Sequence, residues 1–451
     1  MSDAQSNVAP RTTSARPAAA GSSATPGSGK PANRAVFGAS FGHLIEMFDF
    51  GIYGFFVAPI AAAFFPEGSG AGGFLATLAV FGVAFLARPL GGLVFGRLGD
   101  TIGRRNALAS SIILMGLSTI AIGLLPTYAQ IGVLAPILLV VLRLFQGLSF
   151  GGEFGNAAIL IAEHAPAERR GRWTSLITVF AQLGVLLGAL VSVLVNAGLS
   201  EQAYNVWGWR LAFCLAGALC GIALYVRLRT EESPVYEQAQ PKTPSARQPI
   251  RDVFRSGWRP MLLIAGLTAL GTAHYMVITY FPTYLKDTTE LSSGQTQTIT
   301  FLLLGFLILA IPLAAAYGDR FGRRSAFLLC AGGTLVLALP GFLVASSGGM
   351  PAALGGGLMI ALPLAFFHGS LGPIQAELFR TEVRATGAGI GYNVGLVAFV
   401  GMAPFIGALL VEQTGITYSP AFLVMTTAVI GMAAALRMPD TRRLRLEDAG
   451  R

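Results

Sequence analysis

The sequence is poor in charge and in the residue types that usually carry covalent chemistry. Only 12% of its 451 residues are charged, and it contains 3 cysteines and 4 histidines. A soluble domain carries about 25% charged residues, so a chain of this size with half that density cannot cover itself with polar surface. No metal-ligand spacing, nucleotide-binding loop or nucleophile–base set occurs in the sequence. We therefore expect no metal, no cofactor and no enzyme activity.

The N-terminus lacks a recognisable targeting segment. The first 34 residues contain no apolar core of the length found in signal peptides. They are rich in Ser, Ala, Pro and Gly, a composition typical of disorder. We predict a disordered tail at 1–34.

Long apolar runs fill the chain instead, and hydrophobic residues make up 53% of it. A helix needs about 20 apolar residues to cross the hydrocarbon of a bilayer. Splitting the chain at polar, Gly and Pro breaks predicts an all-α polytopic membrane protein with twelve transmembrane helices. The predicted spans are 36–65, 72–98, 106–125, 130–164, 172–198, 206–228, 257–286, 293–318, 324–346, 351–379, 384–412 and 417–438.

A central loop divides these spans into two groups of six. The segment 229–256 is rich in Pro, Gln and charge, and it is the longest loop inside the folded region. The predicted organisation is a tail at 1–34, a six-helix bundle at 35–228, the loop at 229–256, a second six-helix bundle at 257–438 and a tail at 439–451.

The basic residues concentrate in alternate loops. Net charge is +9, and Arg and Lys crowd both tails and every second loop, while the other loops offer Lys286 and, at a helix edge, Arg210. Loops rich in Lys and Arg remain in the cytoplasm. The pattern therefore predicts a multi-pass protein of a bacterial inner membrane with both termini cytoplasmic. Because the charge follows the loops and forms no continuous stripe, we expect no nucleic-acid partner.

One short motif occurs twice. Gly-Asp-x-x-Gly-Arg-Arg follows predicted helix 2 and again follows predicted helix 8. Gly permits tight turns, the Asp can face a helix N-terminus, and the Arg pair can anchor to cytosol and anionic headgroups. A second repeated feature is a Glu followed by an Arg seven residues later: Glu163 and Arg170 in the first half recur as Glu377 and Arg384 in the second. The duplication predicts a cytoplasmic gating motif made of Gly99, Asp100, Gly103, Arg104, Arg105, Gly318, Asp319, Gly322, Arg323 and Arg324.

The duplicated loop resembles the cytoplasmic signature of the major facilitator superfamily, although Ala315 replaces the leading Gly in the second copy. Longer segments are similar to its metabolite:proton symporter family. Among them are His43-Leu-Ile-Glu-Met-Phe-Asp-Phe-Gly-Ile-Tyr-Gly, Phe85-Leu-Ala-Arg-Pro-Leu-Gly-Gly and Arg143-Leu-Phe-Gln-Gly-Leu-Ser-Phe-Gly-Gly-Glu-Phe-Gly. The resemblance covers nearly the whole chain after the tail. It implies the major facilitator fold, with two six-helix bundles and inverted repeats, and proton symport by alternating access.

The resemblance also limits the solute. The symporter family includes carriers of citrate, 2-oxoglutarate, shikimate, and proline or betaine. Its proline/betaine carriers can end in a long charged coiled coil, whereas this sequence stops soon after predicted helix 12. We therefore expect import of a small organic acid or related metabolite. The alternatives are import of a zwitterionic osmolyte such as proline or betaine, and proton-coupled export of a drug or metabolite.

Several charged residues lie inside predicted spans, where a charge costs at least about 2.5–3.5 kcal/mol and so suggests a function or a partner. Asp49 on helix 1 and Arg143 on helix 4 should lie at similar depth, because the two helices run in opposite directions. We predict that Asp49, or else Glu46, binds the coupled proton when substrate competes for Arg143. A static salt bridge between Asp49 and Arg143 is the alternative. Arg88 and Glu153 are predicted to form a structural charge pair.

Other polar groups near mid-depth are candidates for contact with the solute. Arg143 has the planar fork that suits a carboxylate, and Gln146 follows it by one helical turn. The second half adds His and Tyr on helix 7, a His on helix 10 and a Tyr-Asn pair on helix 11. The expected partners are the solute, protons and the lipid bilayer, and we expect a monomer. The predicted substrate-binding set is Arg143, Gln146, Tyr53, His274, Tyr275, Tyr280, His368, Tyr392 and Asn393.

Overall fold

The structure is a computed structural model that describes residues 30–66, 70–239, 250–442 and 444–449. Within these residues every regular element is a helix. Most of the tail predicted at 1–34, and residues 240–249 of the loop predicted at 229–256, lie outside the described residues.

Six long helices form the first half of the chain. α1 (Lys30–Phe55) bends by 68° and continues as Val57–Phe64. It is followed by α2 (Gly70–Ile102), α3 (Arg104–Leu124), α4 (Leu134–His164), α5 (Arg170–Gly198) and α6 (Glu201–Leu228).

The second half repeats the arrangement with six more helices. They are α7 (Gly257–Thr288), α8 (Ser293–Phe321), α9 (Arg323–Ala345), α10 (Met350–Glu377), α11 (Arg384–Thr414) and α12 (Pro420–Arg437).

The helices are suited to a bilayer. Ten of the described helices are long and apolar enough to cross a membrane, and α1 with its bent continuation makes eleven. α2 has 33 residues, which also exceeds the roughly 20 that a span needs. Leu309 and Leu313 on the outside of α8 are each 73% exposed, as side chains that face lipid would be. The chain is a multi-pass membrane protein with twelve spanning helices.

Packing within each half follows one plan. α2 packs on α4 and α1 on α5 in the first half, and the corresponding pairs α8–α10 and α7–α11 recur in the second. Between the halves, α2 meets α11 and α5 meets α8. At the first of these crossings a Cβ on Gly92 would lie 2.6 Å from the Gly389 carbonyl oxygen. The two bundles therefore touch backbone to backbone at this level.

Two ends of the bundle can be distinguished. The motif face is the end that carries Asp100 and Asp319, at the ends of α2 and α8. The far face is the opposite end, where Lys286 lies near the end of α7. At the motif face Gly103 and Gly322 have φ of 99° and 101°, a backbone conformation that favours Gly. Each of them begins the next helix, α3 or α9.

α7 and α11 are irregular where they face the other half. A 3-10 turn at Ala269–Gly271 and a π-helical turn at Met276–Tyr280 flank the His274–Tyr275 pair of α7. α11 has a π-helical turn at Leu396–Val400. Such turns often occur at functional sites, and both helices line the cavity described below.

Candidate functional site

The first motif copy closes the motif face by reaching into the other half. Asp100 Oδ1 accepts a hydrogen bond from the Ala385 amide (3.0 Å), and Oδ2 accepts from the Thr386 amide (2.8 Å) and hydroxyl (2.6 Å). Ala385 and Thr386 begin α11. The carboxylate therefore caps the positive end of a helix in the opposite bundle.

The second motif copy makes the mirrored contact. Asp319 Oδ1 accepts from the Gly171 amide (2.8 Å) and Oδ2 from the Arg172 amide (3.0 Å), both at the start of α5. Each motif Asp thus faces a helix N-terminus, as the sequence suggested, and that helix belongs to the other half.

Glutamates at the ends of α4 and α10 extend these contacts. Glu163 of the first half pairs with Arg384 of the second, with Nη1 to Oε1 at 2.6 Å. Glu377 of the second half pairs with Arg170 of the first at 3.1 Å. All four side chains are buried. The two segments that echo each other in the sequence therefore bind each other crosswise, and the motif face is closed.

The first arginine of each motif points inward. Arg104 lies 3.4 Å from Glu163, and Arg323 lies 3.5 Å from Glu377. Both guanidinium groups are buried, whereas Arg324 is exposed. The expectation that both arginines of each pair anchor to cytosol or headgroups is wrong for Arg104 and Arg323, because the crossed glutamates compensate their charge inside the protein.

The residues after α12 cover these clusters. Thr441 Oγ1 donates to Glu377 Oε2 (2.6 Å), and Arg170 Nη1 donates to the Leu444 carbonyl oxygen (3.4 Å). Glu377 belongs to the second half and Arg170 to the first. Leu446 is buried in the core cluster beside them. The tail thus contacts both halves at the point where they meet.

A cavity of about 450 Å³ lies between the halves. This outer cavity has walls from α1 and α5 of the first half and α7 and α8 of the second. Exposed side chains, Thr283, Lys286 and Gln297, line its end near the far face, and His274 and Tyr275 line its deep end. The cavity therefore opens to the far face, and its volume falls within the roughly 300–1,000 Å³ typical of small-molecule sites.

A smaller chamber of about 70 Å³ continues the cavity toward the motif face. Met47, Ala181, Gln182, His274 and Tyr275 line both spaces. The inner chamber also receives side chains from six of the helices around it: His43, Glu46, Arg88, Phe150, Phe154, Thr178, Phe367, His368 and Tyr392.

Arg88 is the arginine of the inner chamber. Its guanidinium carbon lies 4.3 Å from the ring centroid of Phe85, 5.0 Å from that of Phe150 and 5.4 Å from that of Phe50. The side chain is buried, and its Nε and Nη2 form no hydrogen bond with any described residue. Aromatic faces hold the cation in place, which leaves these donors available to an anionic group in the chamber.

Glu46 brings a carboxylate to the same chamber. Its Oε2 lies 2.7 Å from Nδ1 of His43, one turn earlier on α1. On the other side of the chamber Tyr392 of α11 packs on Phe154 of α4, with ring centroids 4.8 Å apart. Glu46 therefore lies where the two halves face each other.

Asp49 and Arg143 belong to a different network inside the first half. Asp49 accepts hydrogen bonds from Thr119 Oγ1 and Gln146 Nε2, both at 2.8 Å. Gln146 Oε1 accepts in turn from Arg143 Nη1 at 2.8 Å, and the Arg143 guanidinium lies 4.0 Å from the Tyr53 ring centroid. Gln146 thus connects the carboxylate and the guanidinium that were expected to pair. None of these side chains lines either cavity.

The predicted Arg88–Glu153 charge pair is wrong. Glu153 forms a salt bridge with Arg227 at the end of α6 and accepts from Ser111 Oγ (2.9 Å). Arg88 makes no ion pair with any described carboxylate. The prediction failed because Arg227, at the end of the predicted span 206–228, was counted among the basic residues of the cytoplasmic side, whereas α6 buries this guanidinium.

The structure places only some of the predicted substrate residues in the chamber. Four of them, His274, Tyr275, His368 and Tyr392, line the inner chamber. Arg143, Gln146 and Tyr53 lie in the network around Asp49. Tyr280 packs in the core of the second half beside Tyr284, with ring centroids 5.9 Å apart. Asn393 donates to the carbonyl oxygens of Gly151 and Gly389, both at 2.7 Å, and so ties α11 to α4.

Several chamber residues were missed from the sequence, among them Arg88 as a group facing the cavity, and Thr178 and Gln182 on α5. Arg88 carried a signal, since it follows Phe85 by one helical turn in an apolar span. Thr178 and Gln182 carried none, because Thr and Gln are common on helix surfaces of every kind.

Comparison with known proteins gives consistent matches. A model of the Major Facilitator Superfamily matches residues 39–402. The chain is 36% identical over 429 residues to the glycine betaine/proline/ectoine/pipecolic acid transporter OusA of Dickeya dadantii (strain 3937), covering 92% of this chain and 85% of that protein. It is 35% identical over 426 residues to the proline/betaine transporter of Escherichia coli (strain K12), with the same coverage.

Solved structures agree with the fold. The chain is similar to the proton:xylose symporter XylE bound to 6-bromo-6-deoxy-D-glucose, with a TM-score of 0.76 and 17% identity over 93% of this chain and 98% of that one. A double-tryptophan variant of XylE gives a TM-score of 0.78 and 18% identity, over 92% and 97%. At this level of identity the likeness concerns the fold alone.

Proposed function

Since the chain belongs to the major facilitator superfamily, we propose that it imports a small zwitterionic osmolyte, such as glycine betaine, proline or ectoine, together with a proton. It is a transporter and not an enzyme. The observation that carries the proposal is the inner chamber, in which one arginine, one carboxylate and several aromatic rings face the solute path.

The relatives support this solute class. Their names state transport of betaine, proline and ectoine, and the chain matches them over 92% of its length. They favour the osmolyte alternative over the organic acid that we expected first. The end of the chain soon after α12 therefore carries no weight in choosing the solute.

The charges of the chamber support a zwitterion. Arg88 and Glu46 are its Arg and its carboxylate among the described lining residues, with His43 beside Glu46. A solute with one carboxylate and one ammonium group matches this balance. A tricarboxylate would bring three negative charges to one guanidinium, and a buried charge without a partner is costly.

Aromatic rings around Arg88 would bind the ammonium group of the solute. A quaternary ammonium cannot donate a hydrogen bond, and proteins bind it with aromatic faces. Phe50 and Tyr275 line the outer cavity, and Phe150, Tyr275 and Tyr392 line the chamber. In the proposed complex the carboxylate binds the Arg88 fork and the ammonium group lies against these rings.

Proton coupling is assigned to a carboxylate of α1. Glu46 lines the chamber, so a solute carboxylate bound at Arg88 would weaken the attraction between Arg88 and Glu46 and favour protonation of Glu46. Asp49, our first choice from the sequence, lies behind α1 with Thr119 and Gln146. The geometry therefore favours Glu46 as the group that senses the solute, with Asp49 as the alternative.

The distribution of basic residues indicates how the protein is oriented in the membrane, and so the direction of transport. The basic loops lie at the motif face, so the positive-inside rule places this face and both termini in the cytoplasm. The outer cavity would then open to the outside while the motif face is closed. In the proposed cycle the two six-helix bundles rock about the chamber, the motif face opens, and solute and proton leave to the cytoplasm.

Uptake into proteoliposomes tests the proposal. The purified full chain would be offered labelled glycine betaine, proline, ectoine, citrate, 2-oxoglutarate and shikimate, with and without an inward proton gradient. We expect gradient-driven accumulation of at least one zwitterion, and no accumulation of citrate. Accumulation of an organic acid alone would overturn the osmolyte assignment. Efflux of preloaded solute against its gradient, with no uptake, would establish the exporter instead.

A further inference from the structure

Two histidines of the second half touch at the junction of the two cavities. His274 Nδ1 of α7 lies 3.1 Å from His368 Nε2 of α10, and the ring centroids are 4.5 Å apart. His274 lines both the outer cavity and the inner chamber, whereas His368 lines only the chamber. The pair therefore spans the boundary between the two spaces.

Each ring of this pair has a second nitrogen that the contact between the two histidines does not use. His368 is buried, yet its Nδ1 has no hydrogen-bond partner among the described residues. The Nε2 of His274 is the nitrogen that the contact with His368 does not use. A pair kept only to join α7 to α10 would need one hydrogen bond, and a buried nitrogen left without a partner is costly.

Groups of the same two helices and of other helices face the pair. Tyr275 and Phe367 pack on its rings, with centroids 5.7 Å from His274 and 5.1 Å from His368. The titratable and charged groups that share the chamber with it are His43, Glu46, Arg88, Tyr275 and Tyr392, and Lys286 lines the outer cavity. The carboxylate among them is Glu46, on the opposite half.

We propose that His274 and His368 pass the coupled proton from the outer cavity into the inner chamber, where Glu46 receives it. This inference rests on the proposed function. A proton from water in the outer cavity binds His274 Nε2, and the proton on His274 Nδ1 moves to His368 Nε2. The proton on His368 Nδ1 then leaves to water in the chamber. One proton enters and one leaves, and each ring ends neutral in its other tautomer.

The chamber has room for the last step. Its volume of about 70 Å³ is enough for a few water molecules, since a single water needs at least about 10–15 Å³. Water can therefore carry the proton from His368 Nδ1 to Glu46 while the motif face stays closed. The starting tautomers return when each ring rotates to expose both nitrogens to water, loses the proton from one nitrogen and takes up a proton at the other.

Glutamine variants separate this role from a structural one. Gln can keep a hydrogen bond between α7 and α10, but it cannot take up a proton at one end and release it at the other. His274→Gln and His368→Gln would be compared with His164→Gln, a buried histidine whose Nδ1 contacts the Leu160 carbonyl at 2.8 Å at the end of α4. Each variant would be assayed in proteoliposomes for solute counterflow, which needs no net proton movement, and for initial uptake driven by a proton gradient.

We expect counterflow to be unchanged in His164→Gln and to fall much less than driven uptake in the two pair variants. Driven uptake should fall roughly 10- to 100-fold in the two pair variants, a loss comparable to removal of one proton-transfer group, and stay unchanged in His164→Gln. Equal losses of counterflow and driven uptake would show a structural tie and overturn the relay, as would unchanged driven uptake. If the wild type itself shows counterflow but no response to a proton gradient, the proposed proton coupling fails, which is a separate result.

Discussion

Replacing Arg88 with Lys tests where the carboxylate of the solute binds. Lys keeps the positive charge but loses the planar fork and the stacking on the Phe85 ring, which lies 4.3 Å away. A hydrogen bond to a charged group contributes about 1.5–3 kcal/mol. Loss of one of the two bonds that the fork can make should raise KM roughly 10- to 150-fold, because 1.4 kcal/mol corresponds to a factor of ten.

Arg143→Lys is the matched control, since it makes the same change in another buried arginine of the same half. Arg143 donates to Gln146 and lines neither cavity. Its replacement should change KM by less than about threefold, which corresponds to about 0.6 kcal/mol. Initial rates of labelled betaine uptake over a range of concentrations would give KM for both variants.

The opposite pattern would refute this assignment. If Arg88→Lys leaves KM within twofold of the wild type while Arg143→Lys raises it tenfold or more, the solute binds the network around Asp49. The expectation drawn from the sequence, that Arg143 holds the carboxylate, would then stand.

Three further perturbations follow from the same geometry. Glu46→Gln should abolish gradient-driven accumulation but keep counterflow, whereas Asp49→Asn should keep both; the reverse pattern would assign the proton to Asp49. Asp319→Asn and Asp100→Asn should each favour opening of the motif face by about 1–2 kcal/mol, since each removes a charge from a helix N-terminus; distances between spin labels on the two halves would measure this, and a shift in only one variant would contradict the mirrored arrangement. Deletion of residues 441–451 should shift the same distances in the same direction, and unchanged distances would show that the tail does not hold the halves together.

The sequence was informative wherever a feature repeats. Twelve apolar runs predicted the twelve spans, and the duplicated Gly-Asp-x-x-Gly-Arg-Arg predicted two related halves. The repeat that contains Glu163 and Glu377 was also visible in the sequence, but the ion pairs that these residues form were not predictable. Crosswise pairing between the two segments needs the relative position of two bundles, which no local pattern encodes.

The chamber was harder to predict because helical spacing gives a face without saying what that face meets. Glu46 and Asp49 are three residues apart on α1, yet Glu46 lines the chamber and Asp49 lies against Thr119. Likewise, Arg88 and Arg143 were both buried cations in apolar spans. Only the rotation of α2 and α4 in the bundle decides which of them faces the solute.

Arg227 shows the same limit at the end of a helix. The predicted span 206–228 includes this residue, but it was counted among the basic residues of the cytoplasmic side, because Arg near the end of a span usually faces water or headgroups. In the structure α6 continues past it, and its guanidinium binds Glu153 in the interior. A charge at a helix edge is therefore a poor guide to its partner.

The crossed arrangement at the motif face has a consequence for the leakage of protons through the protein. Asp100 holds a helix of the second half and Asp319 holds a helix of the first, so neither half can move away while either cluster remains intact. Partial opening would strand several buried charges without partners, and such intermediates are costly. The face therefore opens all at once or not at all. A membrane that stores energy as a proton gradient is thereby protected from a continuous water path through its own transporter.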